Sequence, residues 1–278
     1  MNIRLSLLPL FALAVPAWSA SVPYLEDFSS YAPGDTAVTN FTELDPPLWT
    51  ITGAHAYQSA ASVSSTSTTA AGQNLLAIIN FPSLASGAFS ISTIFTIDTF
   101  TVVGDASNTG TIGLTARAAD DTSTGTNRYK VSYFLDDDAS GHGTGKLFLT
   151  EINSSTGDSL HALSSGSLAV VLGEIYTYTL TGTPSGGSLD ITATLSKSGG
   201  GSVSVSATDS SDVLGGSFFG YQNSISAVGT GGGVTLDADF DNFTATPEPN
   251  SAMLFALGAF GFLGSRRKKN ARRLPANA

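Results

Sequence analysis

Apolar and polar residues alternate over many short segments between residues 22 and 245. In SLDITATL, residues 188–195, the apolar positions fall on one face, and aspartate and threonine fall on the other. Such alternation predicts a half-buried β-strand. The same pattern recurs in RYKVSYFL, KLFLTEI, EIYTYTL, AFSISTIFTI, TIGLTARA and SVSVSA.

The segments between these patterns are rich in turn-forming residues, as in GDASNTG, DDTSTGTN, DDDASGHGTG, TPSGG and KSGGG. We therefore expect an all-β fold of about a dozen strands, arranged as an antiparallel, jelly-roll-like β-sandwich. No sequence block recurs, which makes a propeller or a solenoid less favoured. The Ser/Thr-rich run at residues 59–72 is predicted to be a loop before the strand LLAIINF.

The inward positions of the strands predict the core. In VTLDADFDNF the apolar residues alternate with three aspartates, Asp237, Asp239 and Asp241, which should lie on a solvated sheet face. The alternation breaks between Phe240 and Phe243, and a bulge at Asp241–Asn242 would let both rings face the core. The predicted core residues are Trp49, Phe95, Tyr133, Leu149, Ile191 and Phe240.

The two ends of the chain carry patterns of a different kind. Residues 1–21 have one cation, Arg4, then an apolar run and a cluster of small residues, which is typical of a secretory signal peptide. Residues 246–278 contain a short apolar helix at 251–264 followed by a basic cluster. The basic cluster should remain on the cytoplasmic side of a membrane. The β-sandwich domain is predicted between them, at residues 22–245.

The C-terminal segment resembles a PEP-CTERM sorting signal. The resemblance rests on Pro247-Glu248-Pro249, the apolar helix and the arginines that begin at Arg266 and Arg267. It implies recognition by a membrane-embedded exosortase and cleavage near the Pro-Glu-Pro motif. The chain would be anchored transiently in the inner membrane by a single short transmembrane helix, and its body would then reach the cell surface or the extracellular space. Thr246 stands where valine is usual before the motif.

The two ends of the predicted domain resemble the first and last strands of concanavalin A-like and carbohydrate-binding-module jelly rolls. The resemblance rests on VPYLEDFSSYAPGD at the start, VTLDADFDNFTA at the end, and Leu48-Trp49 before TITG. It implies a fold more than an activity, because such sandwiches include lectins, glycosidases and spacers.

The negative net charge of the predicted domain disfavours several classes of partner. The 22 acidic residues lie between Glu26 and Glu248, where only five basic residues occur, so this stretch has a net charge of −17. That charge disfavours binding to nucleic acid or to an anionic membrane. It suits cation binding or neutral ligands such as sugars. The five basic residues are Arg117, Arg128, Lys130, Lys146 and Lys197.

The sequence contains no catalytic motif. Cysteine is absent, and His55, His142 and His161 are isolated, so a zinc site is not expected. The loop around His142 lacks the spacing of a phosphate loop, and no nucleophile elbow occurs.

A glycosidase would need two facing carboxylates. The candidates are Glu26, Glu43, Glu151 and Glu174, and the sequence pairs no two of them. Three classes stay open: a non-catalytic glycan-binding or matrix protein, a glycoside hydrolase or polysaccharide lyase, and a spacer without a ligand.

One structural calcium ion is predicted where the first and last strands of the domain meet. Asp27 or Glu26 in LEDF would supply one carboxylate and Asp241 in DFDNF another, with backbone carbonyls completing the shell. Asp136, Asp137 and Asp138 form a second acidic cluster without the spacing of an EF-hand loop. The alternative is that these acids are solvated and bind no ion.

Overall fold

The structure is a computed structural model that describes residues 22–33, 41–43, 49–52, 55–64, 71–104, 108–120, 127–136, 141–154, 160–227 and 232–247. Within these residues there are 15 strands and one 3₁₀ turn, Pro82–Leu84. The strands are β1 (Tyr24–Glu26), β2 (Thr42–Glu43), β3 (Trp49–Thr52), β4 (His55–Ser64), β5 (Ala71–Asn80), β6 (Phe89–Val103), β7 (Thr109–Ala118), β8 (Arg128–Phe134), β9 (Leu147–Ile152), β10 (His161–Leu163), β11 (Ile175–Ser185), β12 (Ser188–Lys197), β13 (Ser202–Asp209), β14 (Phe218–Ala227) and β15 (Gly232–Pro247).

The strands form two antiparallel sheets that pack face to face. Sheet A has the order β13-β12-β11-β6-β15-β4-β3, and β1 pairs with the end of β15. Sheet B has the order β10-β9-β8-β7-β14-β5-β2. The predicted all-β antiparallel sandwich is therefore confirmed, and so is the predicted meeting of the first and last strands of the domain.

The predicted loop at residues 59–72 is wrong where the structure describes it. β4 continues through Ser64 and β5 begins at Ala71. β4 pairs with β15 in continuous register, from Ala56 opposite Phe240 to Ser64 opposite Gly232. Neighbouring strands decide β-structure more than local propensity does, and a serine-rich segment can therefore be a strand beside a long central partner.

The core lies between the sheets and is formed by the inward positions of the alternating strands. The side chain of Trp49 lies outside the described part of the structure. The other predicted core residues are confirmed, because each is at most 1% exposed: Phe95, Tyr133, Leu149, Ile191 and Phe240.

The predicted bulge in β15 is confirmed. The register with β6 shifts between Asp241 and Thr244, and Asn242 has a φ of 50°. Phe240 and Phe243 are both fully buried as a result. Their rings lie 4.4 and 5.9 Å from that of Tyr221 on the opposite sheet. The bulge thus adds a second aromatic ring to the contact between the sheets.

A buried polar cluster joins one end of sheet B to sheet A. The Tyr129 hydroxyl donates to the Asp209 carboxylate and accepts from the backbone N–H of Leu214, 3.0 Å away. Arg117, which has a φ of 51°, donates to the carbonyls of Leu214 and Gly87 at 2.9 and 2.8 Å. Burial raises the pKa of Tyr129 well above its usual range, and the hydrogen bond to Asp209 raises it further. The cluster fixes the start of β8.

The predicted signal peptide, residues 1–21, and the predicted apolar helix, residues 251–264, lie outside the described residues. In the part of the chain that the structure does describe, no helix has the length and apolar character needed to cross a bilayer.

Candidate functional site

The outer face of sheet B is the face that points away from the core. Tyr129, Val131 and Tyr133 of β8 belong to the core. Successive strand residues point to opposite faces, so Lys130 and Ser132 lie on the outer face. By the same alternation, Leu76 and Ile78 of β5 are outward, because their neighbours in sequence are core residues.

Two rows of side chains cross this face, since residues in register on adjacent strands are neighbours. We call them the Lys130 row and the Phe148 row. From β14 to β10 the Lys130 row consists of Gly220, Thr115, Lys130, Thr150 and His161. The Phe148 row consists of Gln222, Gly113, Ser132, Phe148 and Leu163.

The middle of these rows is buried although it faces outward. Thr115 and Gln222 are 0% exposed. The Thr115 hydroxyl donates to Oε1 of Gln222 at 3.4 Å, and Nε2 of Gln222 has no hydrogen-bond partner. A Cβ added at Gly113 would lie 3.2 and 3.4 Å from Cγ and Nε2 of Gln222. The glycine therefore leaves room for the glutamine amide to lie across it.

Lys130 places a positive charge on this face. Burial, together with the neighbouring positive charge of Arg128, lowers its pKa to about 8. Arg128 is itself buried, which lowers its pKa, while Asp120 acts in the opposite direction. Lys130 is partly buried, and among the described residues it has no carboxylate partner.

Four aromatic side chains form a cluster where β8, β9 and β10 meet. The His142 ring stacks on Phe134 with centroids 4.7 Å apart, and it lies 4.3 Å from Phe148. Phe148 in turn lies 5.7 Å from His161. Phe134 is buried, Phe148 and His142 are partly exposed and His161 is exposed. We call this group the aromatic edge.

Hydrogen bonds to neighbouring backbone carbonyls hold the loop that carries His142. The backbone N–H of Gly145 donates to the Phe134 carbonyl at 2.8 Å. The Lys146 ammonium donates to the carbonyls of Ser164 and Ser165 at 3.1 and 3.0 Å. These bonds fix the position of His142 over Phe134 and Phe148.

The outer face of sheet A has a different composition. Two rows of hydroxyl side chains cross five adjacent strands, β15, β6, β11, β12 and β13: Thr246, Ser90, Thr181, Thr192 and Ser206, and beside them Thr244, Ser92, Thr179, Thr194 and Ser204. A depression of about 340 Å³ lies next to these rows. It is lined by Ile94, Phe95, Thr96, Ile175, Asp239 and Asp241.

The three candidate carboxylates whose side chains the structure describes lie in separate places. Glu26 is on sheet A, where it accepts from the Phe28 N–H and the Tyr24 hydroxyl at 3.0 Å. Glu151 is fully buried at the end of β9 in sheet B and accepts from Asn153 at 3.2 Å. Glu174 is partly exposed and accepts hydrogen bonds from Ser198 and Gly199, which lower its pKa. The side chain of Glu43 lies outside the described part.

The predicted calcium ligands lie on or beside sheet A. Asp27 is exposed and accepts from the Ser29 hydroxyl at 2.8 Å, which lowers its pKa. Asp241 accepts from the backbone and the side-chain amide of Asn242, both at 2.7 Å. No three histidine, aspartate or glutamate side chains of the described ranges form a metal-ion group. The prediction required two carboxylates and backbone carbonyls, so calcium binding stays a prediction.

The sequence analysis missed Lys130 and Gln222. Lys130 was only an outward position in RYKVSYFL, and Gln222 is far from it in sequence. A weak signal was present, because Lys130 is one of only five cations in an acidic stretch and lies in the middle of an apolar strand.

The end of β15 leads into the sorting residues. Pro247 is the last residue of β15 and pairs with Phe89 of β6. The predicted processing residues Glu248, Pro249, Arg266 and Arg267 lie beyond the described part. Residues 245–268 match the PEP-CTERM protein-sorting motif. The chain carries a PEP-CTERM signal.

The PEP-CTERM signal overlaps the last three residues of β15 and supports export through the membrane to the cell surface. No curated protein sequence matches this PEP-CTERM chain.

Solved structures with a similar arrangement include several lectins and an alginate lyase. The lectin I from Ulex europaeus, in complex with the methyl glycoside of alpha-L-fucose, is 12% identical with a TM-score of 0.49, over 81% of this chain and 98% of that one. The winged bean acidic lectin is 8% identical with a TM-score of 0.46, over 79% and 98%. The alginate lyase from Klebsiella pneumoniae is 16% identical with a TM-score of 0.40, over 72% and 84%. The PEP-CTERM chain is assigned to a β-sandwich fold from the pairing of its own strands and not from these similarities.

Proposed function

We propose that this chain is an exported cell-surface protein whose β-sandwich binds glycans without catalysis. The PEP-CTERM motif supports the first half of the proposal. An exosortase would recognise the motif while the C-terminal helix holds the chain in the inner membrane. Cleavage near Pro247-Glu248-Pro249 would then free the body for the cell surface or the extracellular matrix.

The aromatic edge carries the glycan half of the proposal. Phe148, His142 and His161 present rings to solvent at the edge of sheet B. The C–H groups of a pyranose ring can pack against such rings, while its hydroxyls need hydrogen-bond partners. His161, the exposed end of the Lys130 row, would supply such a partner.

The positions of the carboxylates support a non-catalytic role. Glycoside hydrolysis needs two carboxyl groups about 5–10 Å apart across the scissile bond. Glu26 belongs to sheet A, Glu174 directly precedes β11 of that sheet, and Glu151 is buried at the end of β9 in sheet B. Glu26 and Glu151 accept hydrogen bonds from residues two positions further along the chain, and Glu174 accepts one from Gly199.

Glycan binding is tested by screening the purified full-length chain against a glycan array and confirming hits by calorimetry. We expect Phe148→Ala to weaken binding by about tenfold, because an aromatic ring in contact with a ligand contributes roughly 1–1.5 kcal/mol. Ile175→Ala is the matched control, since it removes a half-exposed apolar side chain from sheet A. Binding that is equal in both variants, or no binding to any glycan, contradicts the proposal.

Sorting is tested on protein from the native cell envelope. Mass spectrometry should find the body without any attached peptide from residues 253–262. Replacing Pro247-Glu248-Pro249 with three alanines should leave the tail attached. Intact chains as the main species of the unmodified protein would show that the C-terminal segment is an anchor and not a processed signal.

A further inference from the structure

We propose that the depression on the outer face of sheet A binds a linear aliphatic diamine. One ammonium group of the ligand would lie at the Asp239 carboxylate and the other at the Asp241 carboxylate, while the methylene chain would lie against Ile94 and Ile175. The depression and the aromatic edge belong to different sheets. The proposal therefore goes beyond glycan binding and does not depend on it.

The first argument is the shape of the depression. Its volume of about 340 Å³ is within the size range of small-molecule binding sites. It crosses three adjacent strands, because Asp241 of β15 is in register with Ile94 of β6, and Thr96 of β6 is in register with Ile175 of β11. Carboxylates on one strand and aliphatic side chains on the next two therefore line the same concave space.

The second argument is the exposed apolar surface beside the carboxylates. Ile175 is 50% exposed, and Leu172, three residues earlier, is 53% exposed. The backbone N–H of Gly173 donates to the Ile97 carbonyl at 2.9 Å, which fixes this segment against β6. Covering such carbons with methylene groups removes apolar surface from water. A bare metal ion would leave them exposed, so the lining favours an organic cation.

The third argument is the arrangement of the two carboxylates. Asp239 and Asp241 are in regular register with Thr96 and Ile94, so they point to the same face and their Cα atoms are about 7 Å apart. Asp241 accepts hydrogen bonds from the backbone N–H and the side-chain amide of Asn242, both at 2.7 Å, which fix its carboxylate. A carboxylate offers about four acceptor positions, so Asp241 can also accept from an ammonium group.

The charge around the depression also favours a cation. Asp98 of β6 and Asp237 of β15 are further outward acids of sheet A, and Glu174 directly precedes Ile175. No lysine or arginine of the described residues lines the depression, and Lys197 is the only one in the described strands of sheet A. A concave surface lined by one sign of charge raises the local concentration of the opposite charge.

The spacing of the carboxylates selects the length of the ligand. Five bonds of about 1.5 Å in an extended zigzag place the two nitrogens of 1,4-diaminobutane about 6 Å apart. This distance is close to the separation of Asp239 and Asp241, so each ammonium group can contact one carboxylate. A monoamine with the same carbon chain could contact only one of them. Two charges and the chain between them would thus be recognised together.

The test is calorimetry of the purified full-length chain at low salt, with a chelator present to remove calcium. Three ligands with the same carbon chain are compared: 1,4-diaminobutane, 1-aminobutane and 1,4-butanediol. We expect the diamine to bind about fivefold more tightly than the monoamine, because it forms one more ion pair, and the diol to show no binding. Binding of the diamine should weaken as salt is added.

Four variants locate the binding. Asp239→Asn and Asp241→Asn keep the shape of the side chain, and each should weaken diamine binding by about fivefold. Ile175→Ala should weaken it by about threefold, because apolar contact with the chain is lost. Asp190→Asn is the matched control, since Asp190 is an exposed acid of β12 on the same face and accepts from Thr208 at 2.6 Å. It changes the net charge equally and should bind like the unmodified chain.

Circular dichroism of each variant shows whether it is folded. If folded Asp239→Asn and Asp190→Asn chains bind the diamine equally, the attraction comes from the net charge of the body and the proposal is wrong. Equal affinity for the diamine and the monoamine overturns it too, and so does binding of calcium, without the chelator, by a chain that binds no diamine. The proposed function fails separately, because Asp239→Asn should leave any glycan binding at the aromatic edge unchanged.

Discussion

The outer faces of the two sheets differ in solvent exposure and in charge, although the strands that form them have the same alternating pattern. On sheet A the outward positions of β6, β11, β12, β13 and β15 are partly or fully exposed, and most of them carry hydroxyls or the aspartates of β15. On sheet B the outward positions of β5, β7, β8 and β14 are mostly buried, and the charged ones include Arg128 and Lys130. In a chain of such acidity, the positive face is the unusual one.

The outward residues of the two faces differ in what they cost the folded chain in free energy. Exposed threonine and serine cost little on a sheet, so the hydroxyl rows of sheet A are explained by solubility and strand propensity. Polar outward groups on sheet B that are buried, such as Gln222, or partly buried, such as Lys130, cost free energy in the folded chain. Residues that oppose stability are the ones expected to serve function. The contrast between the faces therefore locates the candidate site.

The largest expected effect comes from placing one new charge on each face. Ile78 of β5 faces outward and is 0% exposed, so Ile78→Asp buries an unpaired carboxylate. We expect it to lower the free energy of unfolding by more than about 4 kcal/mol, whereas Thr194→Asp on sheet A should cost about 1 kcal/mol or less. Urea unfolding measures both. Equal effects would show that the two faces are buried alike.

The second effect comes from removing one hydroxyl from each face. Thr115→Val leaves the Gln222 side chain buried without its hydrogen bond and should cost about 1–3 kcal/mol. Thr192→Val removes an exposed bond to Ser206 and should change stability by about 0.5 kcal/mol or less. Thermal melting of the two variants compares them. A Thr115→Val variant as stable as Thr192→Val would mean that the Gln222 side chain finds other partners.

The third effect is a pH dependence of the free energy of unfolding that comes from Lys130 on sheet B. Its charged and titratable groups around Lys130 are Arg128 on the same strand and His161 in the same row. The pKa of Lys130 is lowered to about 8 in the folded chain, so the unfolded chain holds this proton to higher pH. Stability contributed by Lys130 should therefore rise from about pH 8 to pH 10, by at most about 1.4 kcal/mol per pH unit.

Lys130→Met should remove this rise, and Lys197→Met should leave it. Chemical unfolding at several pH values between 7 and 10 measures the slope for each variant. A slope that is the same with and without Lys130 would show that its ammonium is well solvated in the folded chain.

The smallest effect concerns calcium on sheet A. Asp27 and Asp241 each accept local hydrogen bonds, so an ion would have to compete with Ser29 and Asn242. At a free calcium concentration equal to its dissociation constant, binding would stabilise the fold by about 0.4 kcal/mol. Melting with calcium and with a chelator, for the unmodified chain and for Asp241→Asn, detects it. Coincident melting temperatures would leave sheet A without this ion.

The sequence predicted the strands and the core well because alternation is a local property. Leu189, Ile191 and Leu195 could be assigned to the core from eight neighbouring residues, and the bulge followed from the spacing of Phe240 and Phe243. The strand β4 was missed because its serines give a loop composition. Only its pairing with β15, about 180 residues later in the chain, makes it a strand.

The candidate site could not be predicted in the same way. Its rows join Gln222, Thr115, Lys130 and His161 from four strands, and their order in the sheet differs from their order in the sequence. Burial of an outward residue also depends on the curvature and surroundings of the sheet and not on its own strand pattern. The carboxylates that the sequence suggested as site residues accept hydrogen bonds from nearby residues in the chain instead, as Glu26, Asp27 and Asp241 do.

The attachment point at Pro247 has a mechanical consequence. β15 is an inner strand of sheet A, bonded to β6 on one side and to β4 and β1 on the other. A tether joined after Pro247 would pull along this strand, so the load would act on many of its backbone hydrogen bonds at once instead of peeling an outer strand away. Resistance to such a load depends on the unfolding rate. Attachment at this inner strand would therefore favour slow unfolding of the body under a pulling force.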